Sequence, residues 1–155
     1  MGVILWLHLK YPEIRWDWSS IDPKNMKFPN NFSWGTATAS HQVEGGCDNN
    51  NWYKWESAFN DKGFPRIKDG QKAGDACDHW NRHKDDIGLI KKLGVSHYRF
   101  SLEWSKIEKT KGEYCKETIK HYSEVIDHLL KENIAPVITL HHFSNPVWFD
   151  EIGGF

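Results

Sequence analysis

The sequence predicts an α/β fold on a parallel sheet, of the (β/α)8 TIM-barrel type, with only the first two to three βα units present. Three observations predict it. Short apolar or aromatic runs alternate with longer amphipathic ones, in the strand–helix–strand–helix–strand order of βαβ units. A doubly wound sheet shares that order, but no GxGxxG follows the first run, so dinucleotide binding has no support. A long polar loop, 47–74, follows the first run, and in a barrel function sits in the loops after the strands' C-terminal ends.

The elements follow in chain order. Residues 1–25 read as an extension outside the domain, which takes in 26–155. Within the extension, Val3-Ile4-Leu5-Trp6-Leu7 is apolar, but it lacks a basic start and a small-residue cleavage site, so it does not read as a signal peptide. The run is also too short to span a bilayer. Residues 11–20 have no usable periodicity. The first strand is expected over 32–38. A helix over about 78–93 places Trp80, Ile87, Ile90 and Leu93 on one side, with Gly94 as a left-handed cap just past its end. The second strand covers 96–102. The next helix carries the stripe Ile119, Tyr122, Val125, Ile126, Leu129 and Leu130, opposite Lys120, Glu124, Asp127, Lys131 and Glu132. Asn133 stands where its C-terminal cap belongs. The third strand is 135–141. A complete barrel takes roughly 250 residues, so this chain alone leaves an apolar strand edge unpaired, which favours aggregation.

Composition narrows the function classes. With 20 Lys and Arg against 21 Asp and Glu, the net charge of −1 draws the chain neither to nucleic acid nor to anionic membrane. Nine Trp residues offer flat faces of the kind sugar rings pack on, although filling a barrel core accounts for most of them. Cys47, Cys77 and Cys115 are odd in number and widely spaced, so neither a disulfide framework nor a metal knuckle is indicated. Free thiols in a reducing, cytoplasmic compartment fit that pattern.

The polar residues near the strand ends carry the chemistry. Gln42 and Glu44 lie just past the first strand, before Gly45-Gly46. Arg99 lies in the second among aromatics, and His141 and His142 end the third, followed by Phe143. A barrel gathers such residues around one pocket. An amide such as Gln42 can pair with two neighbouring hydroxyls, and a neutral His donates to one more. Arg99 can hold a nearby carboxylate ionised, or it can be an ion-pair partner in the core. His141 and His142 can equally be strand-end residues with ordinary hydrogen bonds. His79 and His83 have metal-ligand spacing with Asp78 and Asp86 nearby, but HExxH is absent and a solvated polar face is expected. Asp48-Asn49-Asn50-Asn51 lacks the alternation and terminal Glu of a calcium loop. The charged stretch 61–72 reads as surface.

At this point a resemblance becomes specific. Phe32-Ser33-Trp34-Gly35-Thr36-Ala37-Thr38-Ala39-Ser40-His41-Gln42-Val43-Glu44-Gly45-Gly46 resembles the N-terminal signature of glycoside hydrolase family 1. Ala76-Cys77-Asp78-His79-Trp80-Asn81-Arg82 resembles the stretch before that family's first barrel helix. Tyr98-Arg99-Phe100-Ser101-Leu102-Glu103-Trp104-Ser105 is similar to its second strand. Thr139-Leu140-His141-His142-Phe143-Ser144-Asn145-Pro146-Val147-Trp148-Phe149 is similar to its third strand and following loop, and Ile152-Gly153-Gly154-Phe155 to what comes next.

The resemblance implies a retaining β-glycosidase of β-glucosidase type, acting on a small glycoside or oligosaccharide without cofactor or metal. It implies that Gln42 and His142 bind the glycone, and that Arg99 sits beside the nucleophile. Phe143 stands where many members have Trp, so any indole N–H bond there is lost. Glu44 is implied to be structural. Lys106 stands where Arg is common and Lys109 where Pro is common, and both read as peripheral. Retaining glycosidases need two carboxyl groups about 5–5.5 Å apart. The family takes them from Asn-Glu-Pro after strand four and Glu-Asn-Gly after strand seven, and neither motif occurs in this sequence. Glu44 and Glu103 are not expected to substitute, since nothing separates their pKa values, and Glu103 is expected near solvent at a strand end. The alternatives are a truncated, non-catalytic relative with weak sugar binding and part of a 6-phospho-β-glycosidase.

Overall fold

The structure is a computed structural model that describes residues 2–10 and 22–155. They divide into two compact units, Met1–Phe32 and Ser33–Phe155. The first unit holds helix α1, Gly2–Lys10, and a 3-10 turn, Pro23–Asn25. Asp22 caps that turn by accepting from the Lys24 amide at 3.0 Å, and Pro23 supplies a preset φ at its first position. The stretch 11–20 lies outside the described residues; among the described residues no helix is long and apolar enough to cross a membrane.

The second unit is built on three parallel strands, β1 Gly35–Ala37, β2 His97–Ser101 and β3 Ala135–Thr139, in that spatial order. Arg99 pairs with Ala37 on one side and Val137 on the other. Helices α2 Ser40–Val43, α3 Asn51–Glu56, α4 His79–Leu93, α5 Trp104–Ile107, α6 Lys116–Lys131 and α7 Val147–Glu151 complete the unit. This is part of a (β/α)8 barrel. The strands are shorter than the apolar runs. The first begins at Gly35, whose Cβ would meet the His97 carbonyl oxygen at 2.9 Å, and the third stops at Thr139, so His141 and His142 belong to the loop beyond it.

The core lies between one face of the sheet and α4 and α6. Ile87, Tyr98, Phe100, Tyr122, Val125, Leu129 and Ile134 form it. Each such side chain contributes roughly 1.5–3 kcal/mol by leaving water. The stripe on α6 is narrower than its sequence pattern. Tyr122, Val125 and Leu129 are buried, but Ile119 and Leu130 stand exposed at its margins. Asn133 closes α6 at φ 59°, donating to Leu130 O at 3.0 Å, while the Ile134 amide reaches Leu129 O at 2.9 Å. That is the Schellman pattern, with Leu129 and Ile134 both in the core. Gly94 at φ 76° ends α4 in the same left-handed region. Leu93, expected on the buried side of α4, is exposed.

Candidate functional site

Helix α2 starts three residues after β1, and hydrogen bonds fix where it sits. The Ser40 amide donates to Ser101 Oγ at 2.8 Å, and Ser40 Oγ donates to Glu103 Oε2 at 2.9 Å. Gln42 is held exposed on α2. The loop after β3 is brought to it by Asn51, the first residue of α3. Asn51 Nδ2 donates to Phe143 O at 3.1 Å, and its Oδ1 accepts from the Asn145 amide at 2.9 Å. The Asn51 amide in turn reaches Asn145 O at 3.0 Å. Between those anchor points Phe143 turns through φ 67°.

The result is a cleft of about 180 Å³ lined by Gln42, His142 and Phe143 with Trp52, His41, Ala39 and Ser40. A two-way amide, an imidazole and two exposed aromatic rings thus share one small opening. His142 Nδ1 is buried with no hydrogen-bond partner. A buried polar atom without a partner is costly. His141 is committed elsewhere, with Nε2 on Asn145 Oδ1 at 2.8 Å and its ring near Trp104 and Phe155.

Arg99 does not line this cleft. It lies on the face of β2 opposite Tyr98 and Phe100, exposed, with Nε donating to Thr139 Oγ1 at 2.8 Å. Among the described residues no carboxylate pairs with it.

Behind the cleft runs a buried polar network that the sequence did not suggest. Glu44 Oε1 accepts from the Tyr122 hydroxyl at 2.7 Å and Oε2 from Lys106 Nζ at 3.0 Å. Lys106 also donates to Gly45 O at 2.8 Å and lies 4.1 Å over the Trp80 ring. Lys106 is therefore not peripheral: it is the charge partner of the buried Glu44 carboxylate. Burial pushes the Glu44 carboxyl up, against the pull of the Lys106 ammonium and the Tyr122 bond. Glu103, expected near solvent, is fully buried. It caps α5, accepting from Ser105 Oγ at 2.7 Å as well as from Ser40, and its amide donates to Tyr122 Oη at 2.8 Å. Neither carboxylate lines the cleft. Burial pushes the nearby Cys47 thiol up to about 12, which leaves it unreactive.

His79 and His83 are buried rather than solvated, because α4 packs that face inward. His79 Nδ1 meets Asp86 Oδ2 at 2.7 Å, and His83 lies edge-on to His121, with ring centroids 5.0 Å apart. His121 stacks on Trp80 at 3.8 Å. Asn51, Trp52 and Lys106 are the site residues that sequence reasoning missed. Asn50 held a usable signal: its Oδ1 caps α3 by accepting from the Tyr53 amide at 2.8 Å, an asparagine cap inside what read as plain polar loop.

The profile of glycosyl hydrolase family 1 matches residues 24–155. The cytosolic beta-glucosidase of Homo sapiens is 38% identical over 134 residues, covering 84% of this chain and 28% of that protein. A 1,4-beta-D-glucan glucohydrolase of Thermotoga neapolitana is 39% identical, covering 83% of this chain and 31% of its own length. Among solved structures, a beta-glucosidase from Exiguobacterium marinum superposes with a TM-score of 0.77 at 36% identity, covering 83% of this chain and 29% of that one. The chain spans less than a third of the length of each of these relatives.

Proposed function

This chain belongs to glycosyl hydrolase family 1, and we propose that it carries the glycone-gripping side of a retaining β-glycosidase site, most simply a β-glucosidase. One observation carries the reading: Gln42, His142 and two aromatic rings share a single cleft. Gln42 and His142 hold neighbouring hydroxyls of the sugar, and Trp52 and Phe143 cover its C–H faces. In double displacement a carboxylate attacks the anomeric carbon while an acid protonates the leaving oxygen, and water then cleaves the glycosyl-enzyme. Asn-Glu-Pro and Glu-Asn-Gly are both absent from this sequence, and Glu44 and Glu103 are saturated by internal bonds away from the cleft. The 155 residues by themselves therefore bind a sugar weakly and do not hydrolyse it. In a complete barrel, Arg99, with no carboxylate paired to it among the described residues, would hold the nucleophile's carboxylate ionised. Three free thiols support a reducing, cytoplasmic setting.

The test has two arms. Purified chain is assayed on an aryl β-glucoside, with no turnover above buffer expected. Methyl β-D-glucoside is then titrated into labelled chain by NMR, with shifts expected at the Gln42 side-chain amide and the His142 ring, both lost in Gln42→Ala. Hydrolysis by this chain would refute the split of binding from cleavage. Shifts confined to other residues would refute the cleft.

A further inference from the structure

Helix α1 lies ahead of residues 24–155, the part that matches the family. Its sequence is apolar at five consecutive positions, Val3 to Leu7. That is more than a full turn at about 3.6 residues per turn, so no stripe of it is reserved for water. A helix apolar all the way round belongs either in a core or in lipid. Leu5, Trp6 and Leu9 are not in a core, for they stand 63%, 54% and 75% exposed. Nor is the helix long enough to hold by itself: isolated helices shorter than about 12–15 residues are marginal in water, and α1 has 9.

Two features say which apolar partner fits. A protein groove or a second copy of the helix would bury one stripe and leave the rest in water, whereas acyl chains and headgroups close around the whole run. Lys10 is the only side chain among the first ten residues that is charged at pH 7, and its ammonium lies 4.6 Å over the Trp6 ring. Both side chains have an apolar body and a polar tip, a combination that settles at the level of lipid headgroups. No carboxylate among those ten residues opposes approach to a phosphate. At about 14 Å the helix covers less than half of a hydrocarbon core of about 30 Å, so it does not cross. The amides of its first turn and the carbonyls of its last need partners. Water and headgroups supply them at both ends of a helix lying along the surface.

We propose that α1 docks the chain on a lipid surface, lying in the headgroup layer of one leaflet. Leu5 and Leu9, four residues apart and so on one side of the helix, reach toward the acyl chains, with Trp6 and Lys10 at headgroup depth. The net charge of −1 gives the chain no long-range pull, so the attachment is apolar and neutral lipid suffices. The docking does not depend on the cleft.

The test floats the full chain with vesicles of phosphatidylcholine alone and of phosphatidylcholine with added phosphatidylserine. Binding to the neutral vesicles is expected, undiminished by salt. Leu5→Ala with Leu9→Ala should weaken it by roughly tenfold or more, and Leu5→Asp with Leu9→Asp should abolish it, with the NMR signals of residues 33–155 unchanged in both. Phosphatidylcholine brominated high on its chains should quench tryptophan emission more than lipid brominated near the chain ends, and Trp6→Phe should remove that difference. Binding that persists in Leu5→Asp with Leu9→Asp would come from another apolar group, such as the exposed Leu140, and overturns the assignment. So do failure to float with neutral vesicles, a requirement for phosphatidylserine that salt removes, and self-association of the lipid-free chain in place of flotation.

Discussion

Removing one oxygen from the buried network should unfold much of its value. Tyr122→Phe keeps the ring that packs in the core and deletes the hydroxyl that joins two strand-end loops. The hydroxyl accepts from the Glu103 amide at 2.8 Å and donates to Glu44 Oε1 at 2.7 Å, both in buried surroundings. The orphaned amide costs about 1–3 kcal/mol, and a lost bond to a carboxylate about 1.5–3 kcal/mol. No cavity beyond one oxygen opens, so the total is about 2.5–6 kcal/mol. A domain of this kind has only about 5–15 kcal/mol of stability to lose. Urea unfolding followed by tryptophan fluorescence should show the midpoint falling with the slope unchanged. Glu44→Gln and the double variant complete a cycle, and the two sites should couple by more than about 1 kcal/mol because they share the bond. A loss below about 1 kcal/mol for Tyr122→Phe, or simple additivity in the cycle, would refute the network as a stabilising unit.

Asn51→Ala removes both side-chain bonds that clamp the loop of His142. It should speed exchange of the Asn145 amide by roughly tenfold or more, with Asn51→Asp between the two. Gly45→Ala would place a Cβ 2.4 Å from Asp75 O at φ 79°, whereas Gly46→Ala meets nothing within 4 Å. Denaturant midpoints should report a loss of about 2–4 kcal/mol at Gly45 and about 1–2 kcal/mol at Gly46. Burial holds the His121 ring down at about 4, with His83 adding to the shift, and burial lowers His83 as well. Both rings are neutral in the fold and take protons on unfolding below the usual 6.5. Their contribution is therefore complete above 6.5 and drains away as pH falls below it, for His121 down to about 4. His79, Lys84, Lys106 and His128 around them oppose protonation, and Glu124 favours it. Tm measured from pH 7 to 4.5 should fall less steeply in His121→Phe than in the parent, and parallel profiles would count against the assignment.

Periodicity made the sheet order and both long helices legible, because Ile87, Tyr122, Val125 and Leu129 each face a core that one apolar stripe can announce. It overstated Leu93, Ile119 and Leu130, which lie at the margins of stripes wider than the contact surface. The two ends of the cleft were also legible, since Gln42 and His142 follow their strands directly. Asn51 was not, because its role is to grip residues 143 and 145, and no local pattern encodes a pairing that distant. Lys106 and Glu103 misled for a related reason. Charge alone predicts solvent, and only partners contributed by other segments, Glu44 for one and Ser40 for the other, make burial tolerable.

The central place of β2 has a consequence for the order of assembly. Arg99 finds Val137 across the connection that holds α5 and α6, but finds Ala37 only across the longer one that holds α2, α3 and α4. Closing the shorter loop costs less entropy, and α6, with its own C-terminal closure, forms locally. The unit β2–α6–β3 should therefore collapse early and β1 should join it late. Gln42 rides on the residues just after β1, so the cleft it lines would come into being in the last step of folding, when the first strand docks.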